Sequence, residues 1–483
     1  MISLHNPKLF HQQAYINGQW LEAQSGEFIE VHNPADNSLM GRVPKMGRAE
    51  TELAIQAAHQ AFSSWKKLTA HQRSSVMQKW YQLILDNLED LATLLTLEQG
   101  KSLNEARAEI RYGAAFIQWF SEEAKRIDGD IMPSSNKDQR ILVLKEPIGV
   151  VGAITPWNFP IAMITRKCAP ALAAGCTVVI KPAELTPFSA LALAELAAQA
   201  GIPAGVFNVV TGMPEVIGET LCASPLVSKI AFTGSTRVGK LLMQQSAGSL
   251  KKLSLELGGN APFIIFEDAD LDAAVEGAII AKFRNSGQTC ICTNRFLVHA
   301  SIYEAFSQKL LKAVQALKVG NGLDENTQQG PLINQAAVIK VETLVKDAID
   351  KNAKLLCGGN RHSLGFTFFE PTVLVGMQPT MRIAREEIFG PVAALFSFKD
   401  EEEAIRMAND TEYGLASYVY SQNMSRIWRV SEALEYGMVT VNTGLFSSEI
   451  LPFGGVKESG FGREGSKYGI DDYLILKSIT LNI

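Results

Sequence analysis

The sequence contains little cysteine and no long apolar run. Six cysteines among 483 residues are too few for a disulfide framework in a chain of this length, so we expect mostly reduced thiols. The most apolar stretch, 161–180, is interrupted near its start by Arg166 and Lys167, whereas a membrane span needs about 18 or more uninterrupted apolar residues. Residues 1–13 show neither a signal-peptide nor a transit-peptide pattern. Together these features predict a soluble, cytoplasmic protein with no membrane partner.

An excess of charge of either sign is also missing. Lys and Arg number 45 and Asp and Glu number 50, which gives a net charge of −5. Because there is no broad basic field, nucleic acid is not an expected partner. At 47% hydrophobic and 20% charged residues, the chain has the composition of a folded globular protein. Its length predicts two or three lobes with large cores.

The sequence also lacks potential metal ligands at the spacing that a metal site requires. The seven histidines are scattered and form no His-Glu-x-x-His pair, and Cys290 and Cys292 have no second cysteine pair within ligand spacing. The alternating acids of 268–272 lack the glycine and the glutamate that a calcium loop requires. We therefore expect no metal site.

From Ile148 onward, the chain alternates short apolar runs with helical segments. This pattern predicts an α/β protein whose parallel sheet is covered by helices on both faces. The expected strands are 149–154, 177–180, 206–210 and 229–232, and the expected helices are 161–173, 187–200 and 214–221. Their order is typical of a doubly wound, Rossmann-like nucleotide-binding fold.

The remaining segments predict further elements around this region. A second alternating region begins near Gly259, with a strand at 262–266 and a helix at 271–284. The first part of the chain is expected to be mainly helical, since apolar residues recur at helical spacing over 76–84. The strand-like segment 140–145 follows a polar interruption and predicts a hairpin arm, with which the extended segment 473–483 could pair.

The loop after strand 229–232 is a candidate phosphate site. Residues 234–240 (GSTRVGK) bring glycines and a helix N-terminus together, as phosphate-binding loops do. However, Leu241 stands where a P-loop needs a Ser or Thr hydroxyl for magnesium, and the three-glycine dinucleotide fingerprint is absent. A nucleotide-hydrolysing P-loop protein is therefore one alternative, and an ordinary strand-to-helix turn is another.

Two residues carry the candidate covalent chemistry. Cys290 stands in a polar, glycine-containing turn, where a thiol is accessible and its thiolate can attack a carbonyl carbon. Glu256 lies between two leucines and just before two glycines, and an apolar setting raises a carboxyl pKa toward the range of a general base. The alternatives are a packed cysteine and a buried acid paired with lysine or backbone amides.

Seven motifs together resemble the aldehyde dehydrogenase superfamily, in the family's order and over essentially the whole chain. They are 155–160 (TPWNFP), 181–184 (KPAE), 232–236 (FTGST), 255–259 (LELGG), 287–290 (GQTC), 387–391 (EIFGP) and 452–455 (PFGG). The resemblance implies a Rossmann-like cofactor domain (1–125 and 146–257) and a second α/β catalytic domain (258–452). A small β oligomerisation arm and C-terminal segment (126–145 and 453–483) would complete the fold and support a homodimer or homotetramer.

The resemblance also implies roles for the catalytic residues. Cys290 would be the nucleophile, and the side-chain amide of Asn158 with the Cys290 backbone N–H would hold the oxyanion. Transfer of hydride to the nicotinamide would leave a thioester on Cys290. Glu256 would activate the water that hydrolyses this thioester.

The cofactor residues implied by the resemblance surround a bound NAD, with NADP possible. Lys181 and Glu184 would hold the adenosine ribose, and a carboxylate at Glu184 would repel the 2′-phosphate of NADP. The other implied contacts are Gly234 and Ser235 beside the pyrophosphate, Glu387 and Phe389 at the nicotinamide ribose and ring, and Trp157 and Leu257.

Substrate class follows from two arginines. Arg166 and Arg284 stand where relatives that act on neutral aldehydes often carry aromatic residues, and two guanidinium groups would suit a substrate carboxylate. Arg284, Ser447 and the ending 465–469 resemble the succinate-semialdehyde dehydrogenase branch, in which Ser447 would add a hydroxyl to the carboxylate site. Glutarate semialdehyde is the alternative substrate, and the two arginines could instead form ion pairs.

A noncatalytic relative is the other alternative for the whole protein, although Cys290, Glu256 and Asn158 are all retained.

Cys292, one residue beyond the expected nucleophile, has two interpretations. It is a small packing residue, or it captures an oxidised Cys290 as a disulfide and so protects the thiol.

Overall fold

The computed structural model describes residues 4–445 and 448–483. Up to residue 256 the helices are α1 (Arg48–Trp65), α2 (Ala70–Asp86), α3 (Leu88–Gln99), α4 (Leu103–Glu123), α5 (Ala162–Ala174), α6 (Phe188–Ala200), α7 (Pro214–Ala223) and α8 (Thr236–Ser246). The strands of this half are β1 (Ala14–Ile16), β2 (Gln19–Leu21), β3 (Phe28–His32), β4 (Leu39–Pro44), β5 (Asp130–Met132), β6 (Gln139–Pro147), β7 (Val150–Ile154), β8 (Thr177–Lys181), β9 (Phe207–Val209), β10 (Val227–Thr233) and β11 (Lys252–Glu256).

The second half repeats the alternation. Its helices are α9 (Leu271–Phe283), α10 (Tyr303–Gln315), α11 (Gln335–Asp350), α12 (Glu401–Asn409) and α13 (Met424–Ala433). Its strands are β12 (Ala261–Ile265), β13 (Thr293–His299), β14 (Lys354–Cys357), β15 (Thr372–Val375), β16 (Val392–Phe398), β17 (Ala416–Tyr420), β18 (Met438–Val441), β19 (Gly460–Phe461) and β20 (Leu474–Asn482).

The first sheet has eight strands in the order β19-β11-β10-β7-β8-β9-β1-β2. Its five central strands are parallel, while the edge pairings β9–β1, β1–β2 and β11–β19 are antiparallel. Every residue of β7 and β8 is buried, as expected for parallel strands with helices on both faces. Gly175 and Gly201 end α5 and α6 in the left-handed conformation, where glycine has no Cβ to clash. The predicted Rossmann-like sheet is confirmed.

The prediction of a mainly helical first part is correct only from Arg48 onward. Before that residue the chain forms four short strands, β1 to β4. β1 and β2 have three residues each, which is too short for an alternating pattern to show in the sequence. β1 is held in the sheet by its pairing with β9, through Tyr15 and Val209.

The second sheet has seven strands in the order β14-β15-β16-β13-β12-β17-β18. All pairings are parallel except the one between β14 and β15. Asp270 begins α9 by accepting hydrogen bonds from the backbone N–H groups of Asp272 and Ala273, a side-chain cap that favours the helix start.

A three-stranded antiparallel sheet, β20-β6-β5, forms the arm. β20 pairs with β6 from Leu474 opposite Pro147 to Asn482 opposite Gln139, so the predicted pairing of the C-terminal segment with the arm is confirmed. The domain bounds expected from the resemblance stay a prediction. Within the expected C-terminal segment, 453–483, the strand β19 pairs with β11 at the edge of the first sheet. None of the described helices is long and apolar enough to cross a membrane.

Candidate active site

Four of the expected site segments follow neighbouring strands of the first sheet. Asn158 comes after β7, Lys181 ends β8, Gly234 follows β10 and Glu256 ends β11. Because these strands are parallel, their carboxyl ends share one edge of the sheet, where α/β proteins bind ligands. Residues spread over about a hundred positions of the chain are therefore brought to one edge.

The second sheet supplies segments that precede its strands. Cys290 comes before β13 and Glu387 before β16, while the backbone N–H of Gly259 donates a 3.1 Å hydrogen bond to Oε1 of Glu387. A Cβ at Gly259 would overlap the carbonyl oxygen of Cys290. The absence of a side chain at Gly259 thus lets the segment after Glu256 pack directly against Cys290.

A pocket lies against Cys290, and its space of about 290 Å³ includes open solvent. Its lining residues come from both halves of the chain: Tyr112, Phe159, Met163, Arg166, Arg284, Thr289, Cys290, Ile291 and Phe453. Three sequence-predicted residues, Arg166, Arg284 and Cys290, are thus brought together. Phe159 and Phe453 give the pocket aromatic walls, which suit a short carbon chain between two polar ends.

Cys290 is only partly exposed at the pocket wall. Burial raises the pKa of its thiol to about 12, and the nearby carboxylate of Glu387 acts in the same direction. The positive charge of Arg166 opposes this rise. The thiol is therefore protonated at neutral pH and needs a base to become the attacking thiolate.

Glu256 is buried at the end of β11, with 3% of its surface exposed. Its two carboxylate oxygens have no hydrogen-bond partner among the described residues. Burial and the neighbouring charge of Glu464 raise its pKa well above that of an ordinary glutamate. A buried carboxyl group without hydrogen-bond partners lowers the stability of the fold, so its presence calls for an explanation. Proton transfer is a role that a raised pKa favours.

Asn158 is buried beside the loop that carries Cys290, defined here as the Cys290 loop (284–292). Its side-chain Nδ2 donates a 3.0 Å hydrogen bond to the carbonyl oxygen of Gln288. An amide nitrogen carries two hydrogens, so a second N–H remains for a substrate oxygen.

The two predicted carboxylate-binding arginines have different surroundings. Nη2 of Arg166 lies 2.8 Å from the carboxylate of Glu464, and its guanidinium lies 3.9 Å from the ring centre of Phe453. Arg284 makes no ion pair among the described residues, and its guanidinium lies 5.0 Å from the ring centre of Phe159. Arg284 therefore has no counterion among the described residues. Arg166 has Glu464 as its counterion, but its Nε and Nη2 form no hydrogen bond with a described residue. The third predicted residue, Ser447, lies outside the described residues.

The residues predicted to hold the adenosine ribose and the pyrophosphate lie at the carboxyl edge of the first sheet. Nζ of Lys181 lies 2.9 Å from Oε2 of Glu184. Burial works to raise the pKa of Glu184, but the charge and hydrogen bond of Lys181 lower it overall, so its carboxylate is ionised. Ser235 caps α8 by accepting from the N–H of Val238, and the adjacent Gly234 leaves the helix N-terminus open to a phosphate.

Glu387 and Phe389 are the residues predicted at the nicotinamide ribose and ring. The rings of Phe389 and Trp157 meet edge to face at 5.5 Å. Burial raises the pKa of Glu387 to about 7. A Cβ at Gly239 would overlap the side chain of Leu257, which packs the segment after Glu256 against α8. Carboxyl groups at the two predicted ribose positions, a helix N-terminus and an aromatic wall form a set of groups that fits a dinucleotide.

Comparison with known proteins decides the family. The family model described as "Aldehyde dehydrogenase family" matches residues 20–479. This chain belongs to the aldehyde dehydrogenase family. The predicted family and fold are therefore confirmed, and the P-loop alternative is not supported.

Several curated and solved aldehyde dehydrogenases are similar to this chain over its full length. It is 56% identical to the NADP(+) succinate-semialdehyde dehydrogenase GabD of Escherichia coli K12 and 58% identical to a glutarate-semialdehyde dehydrogenase of Pseudomonas putida, with 100% of each chain covered. The crystal structure of succinate-semialdehyde dehydrogenase from Burkholderia pseudomallei superposes with a TM-score of 0.99 at 58% identity, again covering 100% of both chains.

Sequence reasoning about this aldehyde dehydrogenase missed several pocket residues. Phe159 and Phe453 lie inside two of the quoted family motifs, so the motifs themselves could have revealed them. Tyr112 and Met163 lie on α4 and α5, where their helical spacing resembles that of ordinary core residues. Glu464 carries no local signal, since only the tertiary fold brings it to Arg166.

Cys292 is buried in the Cys290 loop, with 8% of its surface exposed. Its Sγ lies 3.4 Å from the carbonyl oxygen of Lys282. Both cysteines are free thiols in this structure. The proposed redox role of Cys292 stays a prediction.

Proposed function

We propose that this protein oxidises a short aldehyde that carries a carboxylate at its far end, and that succinate semialdehyde, converted to succinate, is its substrate. One observation carries the proposal: the available guanidinium of Arg284 lines the same pocket as the thiol of Cys290. An arginine can bind a carboxylate with two parallel hydrogen bonds. A semialdehyde bound in this way presents its other end, the carbonyl carbon, toward Sγ of Cys290.

Cys290 supplies the covalent step. The thiol first loses its proton to water, and its thiolate forms a bond to the aldehyde carbon. The carbonyl oxygen becomes an oxyanion that accepts hydrogen bonds from Nδ2 of Asn158 and the Cys290 backbone N–H. NAD(P), when bound at the carboxyl edge of the first sheet, would supply an acceptor for the hydride that leaves this carbon. Lys181, Glu184, Gly234, Ser235, Leu257, Glu387, Phe389 and Trp157 are the residues proposed to hold it.

Glu256 supplies the hydrolytic step. As a carboxylate it removes a proton from water, and the resulting hydroxide attacks the thioester carbon. The carbon–sulfur bond then breaks, the acid product leaves, and Glu256 returns its proton to the Cys290 thiolate, which regenerates the thiol. The buried setting of Glu256 raises its pKa, so the carboxyl group accepts a proton more readily than an exposed glutamate does.

We infer that NAD is preferred, because the ionised Glu184 can accept hydrogen bonds from ribose hydroxyls and repels a 2′-phosphate. Lys181 beside it provides a positive charge that leaves NADP use open. The similar Escherichia coli protein is named as NADP(+)-dependent.

Glutarate semialdehyde is the second candidate substrate. It is one methylene longer than succinate semialdehyde, a difference that changes discrimination by only about 1 to 3 kcal/mol. A relative named for this substrate is as similar in sequence as those named for succinate semialdehyde.

Initial rates with succinate semialdehyde, glutarate semialdehyde and butanal, each with NAD and with NADP, test the proposal. We expect kcat/KM for succinate semialdehyde to exceed that for butanal by at least roughly tenfold, the factor for loss of one charged hydrogen bond. Equal values for butanal and both semialdehydes would refute carboxylate recognition. A higher value for glutarate semialdehyde would reassign the substrate.

We also propose a homodimer or homotetramer assembled through the arm in the reducing cytoplasm. Ile131 on β5 and Leu476 on β20 are 81% and 71% exposed, and such apolar side chains on an exposed sheet are typical of subunit contacts. All six cysteines are free, which agrees with a reducing compartment. Light scattering after gel filtration should give a dimer or tetramer for the wild type and a smaller species for Leu476→Asp. The control is Met424→Asp, which changes an exposed residue of α13 outside the arm and should keep the wild-type size. A monomeric wild type would refute the proposal.

A further inference from the structure

We propose that Lys101 and Asn285 are positioning residues that hold Asn158, from two sides, in the orientation needed to bind the oxyanion. The inference rests on the proposed function, since it assigns roles around the same reacting oxygen. Neither residue lines the pocket over Cys290. Both act through the backbone carbonyl oxygen of Asn158, which accepts a hydrogen bond from each of them.

Lys101 lies between α3 and α4 and is 1% exposed. Its Nζ donates to Oε2 of Glu109 at 2.5 Å and to the carbonyl oxygen of Asn158 at 2.8 Å. The ammonium also lies 3.9 Å from the ring centre of Phe159, the residue after Asn158. A buried charged donor with its counterion makes a strong and well-directed hydrogen bond to a carbonyl group.

Glu109 also makes hydrogen bonds to the start of α5. Its other oxygen, Oε1, accepts from the backbone N–H groups of Ile161 and Ala162 at 2.9 and 3.3 Å. The Lys101–Glu109 pair therefore contacts the chain on both sides of Phe159. Rotation of the segment that carries the Asn158 side chain would break these contacts.

Asn285 approaches the same carbonyl group from the other half of the chain. Its Nδ2 lies 3.0 Å from the carbonyl oxygen of Asn158 and 3.3 Å from that of Gln288. Nδ2 of Asn158 donates to the same Gln288 oxygen at 3.0 Å. The three residues form a closed arrangement that connects the Asn158 segment to the Cys290 loop.

The backbone at Asn285 shows why an asparagine suits this position. Asn285 and Ser286 have φ values of 51° and 56°, a left-handed conformation that asparagine tolerates better than most residues. With this backbone, Nδ2 of Asn285 faces the carbonyl oxygen of Asn158. The arrangement determines which way the Asn158 amide points, and small errors in such an orientation reduce catalysis strongly.

The first test compares Asn285→Gly with Ser286→Gly. Both substitutions place glycine in a left-handed conformation, so neither strains the backbone. Ser286 donates to the carbonyl oxygen of Gly330 at 2.8 Å and does not contact Asn158. We expect Asn285→Gly to lower kcat by roughly 10- to 100-fold with little change in KM or in the Kd of NAD, and Ser286→Gly to lower kcat less than threefold.

The loss should be the same for succinate semialdehyde and for butanal, because every aldehyde presents the same carbonyl oxygen to Asn158. This separates the inference from the proposed substrate: if the wild type prefers butanal, the assay is run with butanal and the expectation for Asn285→Gly is unchanged. The alkylation rate of Cys290 by iodoacetamide should also be unchanged, since this reaction forms no oxyanion.

The second test removes the buried pair as a unit. Lys101→Met with Glu109→Gln leaves no unpaired buried charge, and Lys229→Met is the control for losing an equally buried lysine elsewhere. We expect kcat of the double variant to fall as much as that of Asn285→Gly, and kcat of Lys229→Met to stay close to that of the wild type. If the double variant does not fold, Asn285→Gly and the combination below decide.

Combination with Asn158→Ala gives the decisive result. If Asn285 acts through Asn158, the variant Asn158→Ala/Asn285→Gly should be no slower than Asn158→Ala alone, because the positioned group is already gone. Losses that multiply in the combined variant, or an unchanged kcat in Asn285→Gly, would overturn the inference.

Discussion

The guanidinium of Arg166 lies 2.8 Å from the carboxylate of Glu464, whose other oxygen lies 2.6 Å from Nζ of Lys167. Burial would lower the pKa of Arg166, but the charge of Glu464 raises it above its ordinary value. Glu464 thus balances two buried cations next to the pocket. We therefore expect a substrate carboxylate to depend more on Arg284 than on Arg166.

Replacing Arg284 should change substrate preference. We expect Arg284→Ala to lower kcat/KM for succinate semialdehyde by roughly 10- to 100-fold and to leave butanal nearly unaffected, since a charged hydrogen bond contributes about 1.5 to 3 kcal/mol. Arg284→Lys keeps the charge and should lose less. Arg166→Ala should lower kcat/KM for both substrates alike, because it disturbs the buried charges around Glu464. Equal losses for the two substrates in Arg284→Ala would mean that Arg284 is structural.

Glu256→Gln should separate the two chemical steps. Without its base the variant should still form the thioester and release one burst of NADH per active site, followed by turnover at least about 100-fold slower than wild type. Cys290→Ala should show no burst while still binding NAD. Rapid-mixing absorbance at the NADH band measures both, and steady wild-type turnover in Glu256→Gln would remove Glu256 from the mechanism.

Cofactor choice should respond to Glu184. Because the ionised carboxylate repels a 2′-phosphate, Glu184→Ser should raise the ratio of kcat/KM for NADP to that for NAD by roughly tenfold or more. Glu184→Gln, which removes the charge but keeps the size, separates repulsion from space. A ratio that stays constant in both variants would show that Glu184 does not face the ribose.

The reactivity of Cys290 should depend steeply on pH. Its pKa is raised to about 12 by burial, so the thiolate fraction of the free enzyme grows about tenfold per pH unit throughout the range below that value. The rate of iodoacetamide labelling of Cys290, followed by mass spectrometry, should rise from pH 6 to 10 without a plateau. A plateau below pH 8 would show that a nearby cation lowers the thiol pKa in solution.

Cys292 should protect Cys290 from peroxide. A sulfenic acid on Cys290 condenses with the Cys292 thiol to a disulfide and water. Peroxide-treated wild type should then regain activity with dithiothreitol and, before reduction, show an intrachain crosslink by mass spectrometry. Cys292→Ala should lose activity irreversibly. Equal recovery of the two proteins would make Cys292 a packing residue.

Local patterns in the sequence were enough to predict the central architecture. β7, β8 and β10 were predicted because buried parallel strands appear as short continuous apolar runs, which any window of the chain displays. Cys290 and Glu256 were candidates because of their local settings, a polar glycine-containing turn and an apolar segment before two glycines. The role of Asn158 followed from the resemblance of its motif to the aldehyde dehydrogenase superfamily.

Tertiary structure alone decided how the pocket charges are shared. Nothing near Arg166 in the sequence indicates Glu464, and nothing near Asn158 indicates Lys101 or Asn285. These pairs form because the carboxyl edge of one sheet meets loops from the other half of the chain. Ion pairing and hydrogen bonding depend on distances of about 3 Å, and such distances between residues far apart in the chain exist only once the domains have packed. The sequence therefore determined which chemical groups are available, and the packing determined that Glu464 is the counterion of Arg166.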